Sequence, residues 1–323
     1  MKIQKMLLLT TGTLMLVGAL FAFKHLRKQP THQFTVGILQ TASHPALDAV
    51  REGFKKQALA KLGDVGFIEQ NAQGSTSNAH MIAQSFNQNQ SIDLVLAIAT
   101  PAAQAMASLN SSKPIVFAAV TDPTAAGLTG QNICGATDSI NVAQQCALIR
   151  ELTPNAKTVA LLFNKGEVNA TSMVAQMEPE LKKLGLTTIQ CCVTNESEIP
   201  AAVASACGKA EVILAPIDNT VASTIDFIAP MARSRQIPLF VSDNLLVQRG
   251  ALAARGVDYF TSGMTAADLA RHILIEHQKP SALKTITPEC NTVFVNKDTA
   301  HACELTVPQN FGDDVQVRTV YDE

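Results

Sequence analysis

The sequence predicts an α/β protein of two Rossmann-like lobes, each a parallel sheet with helices on both faces. Three observations predict it. Short runs rich in Val, Ile and Leu alternate with helix-patterned segments from residue 35 to beyond residue 240, and such runs suit strands buried on both faces. Nine strand–helix units are too many for one comfortable domain, so two lobes of about four to six strands each are expected. A chain of 323 residues, 47% of them hydrophobic, can fill two cores and excludes a disordered class.

The elements follow in order. TVGILQ (35–40) is a strand that leads into the helix-like PALDAVREGFKKQALAKLG. VGFIEQNAQ (65–73) precedes NAHMIAQSFNQN, DLVLAIA (93–99) precedes PAAQAMASL, and PIVFAAV (114–120) precedes TDPTAAGLTG. NICGATD is followed by a helix from about Ile140 to Leu152. TVALLFN (158–164), LTTIQCCV (186–193), EVILAPI (211–217) and IPLFVSD (237–243) are each followed by a helical or capped segment.

Ahead of this body, Met6 to Phe23 is an uncharged 18-residue stretch preceded by Lys2 and Lys5. It reads either as a long secretory signal peptide or as a short membrane anchor spanning residues 6–23. KHLRK directly after it discourages cleavage, and the positions before Ala22 make a poor small-x-small site. Either way the remainder is expected outside the cytoplasm. Residues 1–29 hold five basic residues and no acid; without them 20 basic and 27 acidic residues remain. A body that acidic, with no basic run, argues against a nucleic-acid partner. None of the seven cysteines forms CxxC, so zinc and thioredoxin-like chemistry lack support. Most are expected as small buried residues, and at least one stays unpaired within the chain.

The carboxyl ends of the strands share a pattern. They read ILQTASHP, LAIATPAA, FAAVTDPTAAG, LLFNKGEVN, LAPIDNTVAS and LFVSDN. In open parallel sheets ligands bind at this edge, where helix N-termini present free N–H groups. For any one junction helix capping is the better explanation. It does not require the accumulation of Asp122, Asp218 and Asp243 with Asn164, Asn169, Asn219 and Asn244. Two lobes meeting at these edges would enclose a polar cleft, with Asp218-Asn219 as part of a ligand site.

Catalytic signatures are missing. There is no GxGxxG, GxxxxGK[ST], GxSxG or HExxH, and His272 and His277 are five apart, on different helical faces. His44 follows the first strand and reads as a catalytic residue or, more commonly for a loop histidine, as a cap or hydrogen-bond donor. The sequence therefore suggests binding rather than turnover, with no catalytic residue, metal or cofactor assigned. Trp is absent, and Tyr occurs at 259 and 321 alone, which leaves little aromatic surface for stacking a sugar ring. Carboxylates and amides suit a small zwitterion, its ammonium on Asp and its carboxylate on helix N-termini and hydroxyls.

The motifs VGILQTASHPALDAVREGFKKQ, AVTDPTAAGL, LLFNKGEVNA, APIDNTVAS, GALAARGVDYFTSG with ADLARHIL, and VFVNKDTAHACELTVP together resemble one family. They are similar to the ABC-transporter substrate-binding proteins of the branch that takes tryptophan and related aromatic amino acids. The likeness runs from about Phe34 to the end. It implies a type I periplasmic-binding-protein fold, two Rossmann-like lobes with parallel sheets joined by a three-strand hinge. It further implies a monomeric receptor closing on an amino acid and delivering it to an ABC permease and its ATPase. A membrane-tethered sensing module, or a receptor for another small polar solute, is the alternative.

Carried over by segment, the first lobe spans 34–137 plus 250–282, and the second 138–249 plus 283–323. The resemblance places Thr41, Ser43, Thr100, Thr121 and Asp122 at the first lobe's edge, with Thr100 before Pro101 at a helix start suited to a carboxylate. From the second lobe come Asn164, Asn169, Asp218, Asn219 and Asp243, although Asp243 is read equally well as a cap. Glu167 is expected in solvent. Phe117, Phe163 and Tyr259 are the candidates for an apolar side-chain pocket. The chain lacks the lipid-anchoring Cys common among Gram-positive members, so any attachment is by the N-terminal segment.

Overall fold

The computed structural model describes residues 32–109, 111–287 and 292–308, together with the backbone of 316–319. The N-terminal stretch read as signal or anchor lies outside the described residues, as do Cys290 and Tyr321. Among the described residues no helix is long and apolar enough to cross a membrane. Phe34–Glu323 forms one compact unit.

That unit contains two sheets. The first is wholly parallel: β1 (Phe34–Gln40), β2 (Val65–Asn71), β3 (Leu94–Ile98), β4 (Ile115–Val120) and β5 (Ile133–Thr137), in the order β2–β1–β3–β4–β5. The second comprises β6 (Thr158–Asn164), β7 (Thr187–Val193), β8 (Val212–Leu214), β9 (Leu239–Phe240), β10 (Ala253–Arg255), β11 (Thr292–Val295) and β12 (Gln316–Thr319). Its order is β12–β11–β10–β9–β8–β6–β7, antiparallel only between β10 and β11. Every residue of β3 and β4 is buried, as expected of central strands covered on both faces.

Two lobe boundaries differ from the sequence expectation. Residues from Gly250 were assigned to the first lobe, yet Ala253–Arg255 lies in the second sheet and pairs with β9 and β11. The run is short and fully buried, Arg255 included, so it completes a sheet before the chain crosses back after Arg255. The segment from residue 283 was assigned to the second lobe, yet Ile286 bridges to Ala136. It accepts from Thr137 N–H at 2.8 Å and donates to the Gly135 carbonyl at 3.0 Å, satisfying groups on the edge strand β5. The strand expected over 211–217 ends at Leu214, because Pro216 has no N–H to give to a ladder.

Helix α1 (Pro45–Leu62) starts directly after β1's loop and buries Leu47, Val50, Phe54, Ala58 and Leu62 at helical spacing. After the second crossing, α10 (Tyr259–Leu274) returns to lie on it, with Ala266, Ala267 and Ala270 buried in the same core. The helices meet backbone to backbone. A Cβ on Gly263 would stand 2.0 Å from the Val50 carbonyl oxygen, and one on Gly53 2.1 Å from that of Phe260. This contact places the start of α1, with His44 and Leu47, beside the start of α10, with Tyr259.

Gly263→Ala is therefore expected to destabilise the fold by ~1–3 kcal/mol or more, since the methyl has no space without separating the helices. Urea unfolding checks it: the midpoint should fall at unchanged m.

Candidate functional site

The two sheets face one another with their carboxyl edges. From the first lobe come the turn after β1 (Thr41 to His44), the start of α3 (Thr100–Ala107) after β3, and Ala119 at the end of β4. Two of these strand ends hold non-glycine residues at positive φ: Ala99 at 74° and Ala119 at 55°. Such backbone costs about 1–3 kcal/mol per residue and gathers where a ligand is clamped. From the second lobe come Asn164 after β6, Pro216 to Asn219 after β8, and Asp243 after β9.

Among the described residues, two side-chain hydrogen bonds cross the cleft. His44 Nε2 lies 3.2 Å from Asn219 Oδ1, and Ser172 Oγ donates to Asp122 Oδ2 at 3.1 Å. Between the lobes is an enclosed cavity of about 20 Å³, room for about one water. Its polar wall is His44, Thr100, Asp138, Asn169, Asp218, Asn219 and Asp243; its apolar wall is Leu47, Ala119, Pro216, Ile217, Ala222, Leu246 and the Tyr259 ring. Outside it an open cleft of about 890 Å³ shares Asn219 with the cavity and is edged by hydroxyl and amide side chains of both lobes.

Asp218 shows why these side chains sit where they do. It is the N-cap of α7 (Asn219–Ser223), its Oδ1 accepting Val221 N–H at 2.9 Å, while its Oδ2 accepts Asn164 N–H at 2.6 Å. Capping and site-building are thus one job, not alternatives. Asp243 likewise caps α9 (Asn244–Gln248) through Leu245 N–H at 2.8 Å and still lines the cavity. Glu167, expected in solvent, is buried. It stands at the N-cap of α5 (Val168–Lys183) and accepts from Asn219 N–H at 3.0 Å, Asn219 Nδ2 at 2.6 Å, Thr220 N–H at 3.0 Å and Thr220 Oγ1 at 2.8 Å. Two helix starts converging on one carboxylate draw it inward.

The electrostatics are one-sided. Burial pushes Asp138 up to about 6. Burial, with Asp138 nearby, pushes Asp243 up to about 7. Burial and the neighbouring Glu167 hold Asp218 well above the usual carboxylate range. No lysine or arginine lines the cavity, and burial holds His44 below the usual imidazole value, hence neutral. Several buried atoms on this wall have no partner among the described residues: His44 Nδ1, Thr100 Oγ1, Asp138 Oδ1 and Asn169 Oδ1. All four can accept a hydrogen bond: the Asn169 amide oxygen and the Thr100 hydroxyl oxygen always, the Asp138 oxygen when the carboxyl is ionised, and His44 Nδ1 when the proton is on Nε2. Such a wall is matched by a ligand group with several N–H donors and a positive charge.

The family model for ABC transporter substrate binding protein matches residues 35–315. The chain belongs to that family. Its members are solute-binding proteins rather than enzymes, and the fold is that of type I periplasmic binding proteins. This substrate-binding protein is 32% identical over 287 residues to the tyrosine-binding protein of Clostridioides difficile strain R20291, spanning 84% of this chain and 81% of that one. It resembles the ABC domain from Streptococcus pneumoniae solved in complex with L-Trp, with TM-score 0.81 and 31% identity over 85% of this chain and 96% of that one. A conserved domain protein from Vibrio cholerae gives TM-score 0.82 and 34% identity at the same coverage.

In this substrate-binding protein the ten residues singled out from sequence divide. Thr100, Asn169, Asp218, Asn219 and Asp243 come together on the enclosed cavity, and Asn164 edges the open cleft. Thr121 and Asp122 line a separate crevice of about 380 Å³ beside the crossings. Thr41 is internal to its lobe, donating to the Ile98 carbonyl and accepting Ala102 N–H; Ser43 is exposed and accepts from Asn71. Of the aromatic candidates, Phe117 and Phe163 are core residues, because strand alternation turns them away from the cleft. Tyr259 does line the cavity, and its hydroxyl donates to Asp138 Oδ2 at 3.2 Å. Asp138 was read only as a lobe boundary, although the same signal, an acid just past a strand end, was there to find it.

The raised carboxylates set a pH dependence. Asp138 and Asp243 have folded values above the ordinary ~3.9 of an unfolded Asp. Their contribution is fully present below about pH 4 and is lost as pH rises through about 6 and about 7. Unliganded protein should therefore lose stability from these groups between pH 4 and 7, read as the urea midpoint across that range. The double variant Asp138→Asn with Asp243→Asn should flatten the profile.

Proposed function

We propose that this chain is the extracytoplasmic receptor of an ABC importer, and that it binds an amino acid with a free α-ammonium and an apolar side chain in the interlobe cleft.

 The observation that carries this reading is the imbalance at the cavity. Three buried carboxylates and several unpartnered acceptors stand on one wall with no lysine or arginine among them. An ammonium supplies three N–H donors and the missing positive charge. The apolar part of the lining, from Leu47, Ile217, Leu246 and the Tyr259 ring, suits an apolar side chain. The ligand carboxylate is assigned to Thr100, whose hydroxyl opens α3 and has no partner among the described residues. The tyrosine-binding relative and the L-Trp complex support an aromatic amino acid within this class.

Binding then works by hinge closure. Ligand sites for small molecules occupy about 300–1,000 Å³, far more than the 20 Å³ enclosed here, so the lobes must separate to admit the ligand. Contacts to His44 and Thr100 on one lobe and to Asn169, Asp218 and Asp243 on the other form together only on closing, and that differential binding drives the change. The closed form delivers its cargo to a permease served by a cytoplasmic ATPase. We place the receptor, acting as a monomer, in the periplasm or on the outer face of the cytoplasmic membrane, held by residues 6–23 if these stay attached.

Thermal unfolding against the twenty amino acids, sugars and nucleosides tests this. A ligand at 100 times its Kd should add about 2.7 kcal/mol, a shift of several degrees. Trp, Tyr or Phe should give the largest shift, and Asp243→Asn, which keeps an oxygen for the α9 cap, should weaken binding about 10–100-fold by calorimetry. Ammonium binding ionises the raised carboxylates, so affinity should rise with pH to about 7, with proton release at pH 6. A shift by sugars or nucleosides alone would reassign the ligand, and no shift with any of them would reject the amino-acid reading.

A further inference from the structure

Glu167 does not itself line the enclosed cavity, though it edges the open cleft, and from behind the wall it fixes which way two cavity side chains point. Its carboxylate has acceptors only, so the groups facing it must be donors. Asn219 therefore turns its Nδ2 toward Glu167 Oε2, at 2.6 Å, and its Oδ1 outward. Asn169 does likewise: its Nδ2 donates to Glu167 Oε2 at 3.3 Å and to the Ile217 carbonyl at 2.9 Å, leaving Oδ1 on the cavity. Thr220 N–H and Oγ1 saturate Glu167 Oε1, at 3.0 and 2.8 Å, which holds the carboxylate in place.

The orientation passes on to His44. Its Nε2 faces Asn219 Oδ1 at 3.2 Å across the cleft, and an amide oxygen only accepts, so Nε2 carries the proton. In a neutral imidazole the other nitrogen is then a bare acceptor. That nitrogen, Nδ1, is buried and has no partner among the described residues, and His44 lines the cavity.

We propose that Glu167 is the positioning residue of the site: through Asn219 it selects the Nε2–H tautomer of His44, and with Asn169 it makes the cavity wall accept hydrogen bonds rather than donate them. The consequence is specificity for a donor-bearing ligand group at this point. It rests, for its ligand, on the amino-acid reading given above; the tautomer itself does not.

Long-range 1H–15N correlation spectra of the full chain, labelled at histidine, test it, with His44 assigned from a His44→Gln sample. His44 should give the Nε2–H pattern without ligand. In Glu167→Gln the amides are released, and the Nδ1–H form should appear while affinity for the amino-acid ligand falls about tenfold or more. Asn219→Ser, which removes the amide between the two, should do the same if Glu167→Gln fails to fold. An Nδ1–H pattern in the wild type, or a tautomer unmoved in a folded variant, overturns the proposal. If no amino acid binds the wild type, the functional reading fails alone, and the spectra still decide the role of Glu167.

Discussion

The cleft edge of the second lobe depends on two buried carboxylates held by backbone N–H groups instead of by cations. Asp218 binds the amides of Asn164 and Val221, and Glu167 binds those of Asn219 and Thr220. Together they join the end of β6, the turn after β8 and the starts of α5 and α7. Backbone donors at helix starts stabilise negative charge there, but two carboxylates this close, both out of water, do not both ionise freely. That is why Asp218 is pushed well above the usual range. Remove either acid and several buried N–H groups lose their acceptors at once, each at about 1–3 kcal/mol.

Much of this was legible in the sequence. Val/Ile/Leu runs ending on Thr, Asn or Asp located both sheets and the edge where they meet, because a buried parallel strand leaves little else that its composition can be. The five cavity residues found in advance, Thr100, Asn169, Asp218, Asn219 and Asp243, all follow that rule. What failed were features set by three-dimensional pairing. Nothing local distinguishes AAR at 253–255 as a strand of the second sheet, since it is three residues long and is defined by neighbours at 240 and 295. Glu167 was misplaced for a similar reason: a glutamate after a Gly reads as solvated until another helix start is brought against it. Thr41 and Ser43 sit beside the right strand end, but one turns into its own lobe and the other to solvent.

Strain and the crossings concentrate at the same edge. Ala99 and Ala119 occupy backbone regions that favour glycine; Ala99 directly precedes the cavity-lining Thr100, and Ala119, near the end of β4, lines the cavity itself. The cost is met by neighbours that leave no alternative: Ala99 N–H is bound to the Ala118 carbonyl at 2.9 Å, and both side chains are buried. Tyr259 and Asp138 lie on different crossings and are bonded to each other, so a change in the charge of Asp138 is felt at both. The close backbone approach of α1 and α10 at Gly53 and Gly263 in turn fixes where Tyr259 stands relative to His44.

Closure can then be weighed. The bonds His44–Asn219 and Ser172–Asp122 cross the cleft, and hydrogen bonds of this kind contribute about 0.5–1.5 kcal/mol each, or up to ~3 where one partner is charged. Against them stand the buried carboxylates, which grow costlier as pH rises toward 7. In the proposed closure, a ligand can shift such a balance only by its differential affinity for the two forms. In the proposed binding, an ammonium entering between Asp138, Asp218 and Asp243 offsets the cost of burying their charges instead of merely adding a contact. In the proposed receptor the acids that oppose closure in the empty cleft are thus the groups through which the ligand produces it.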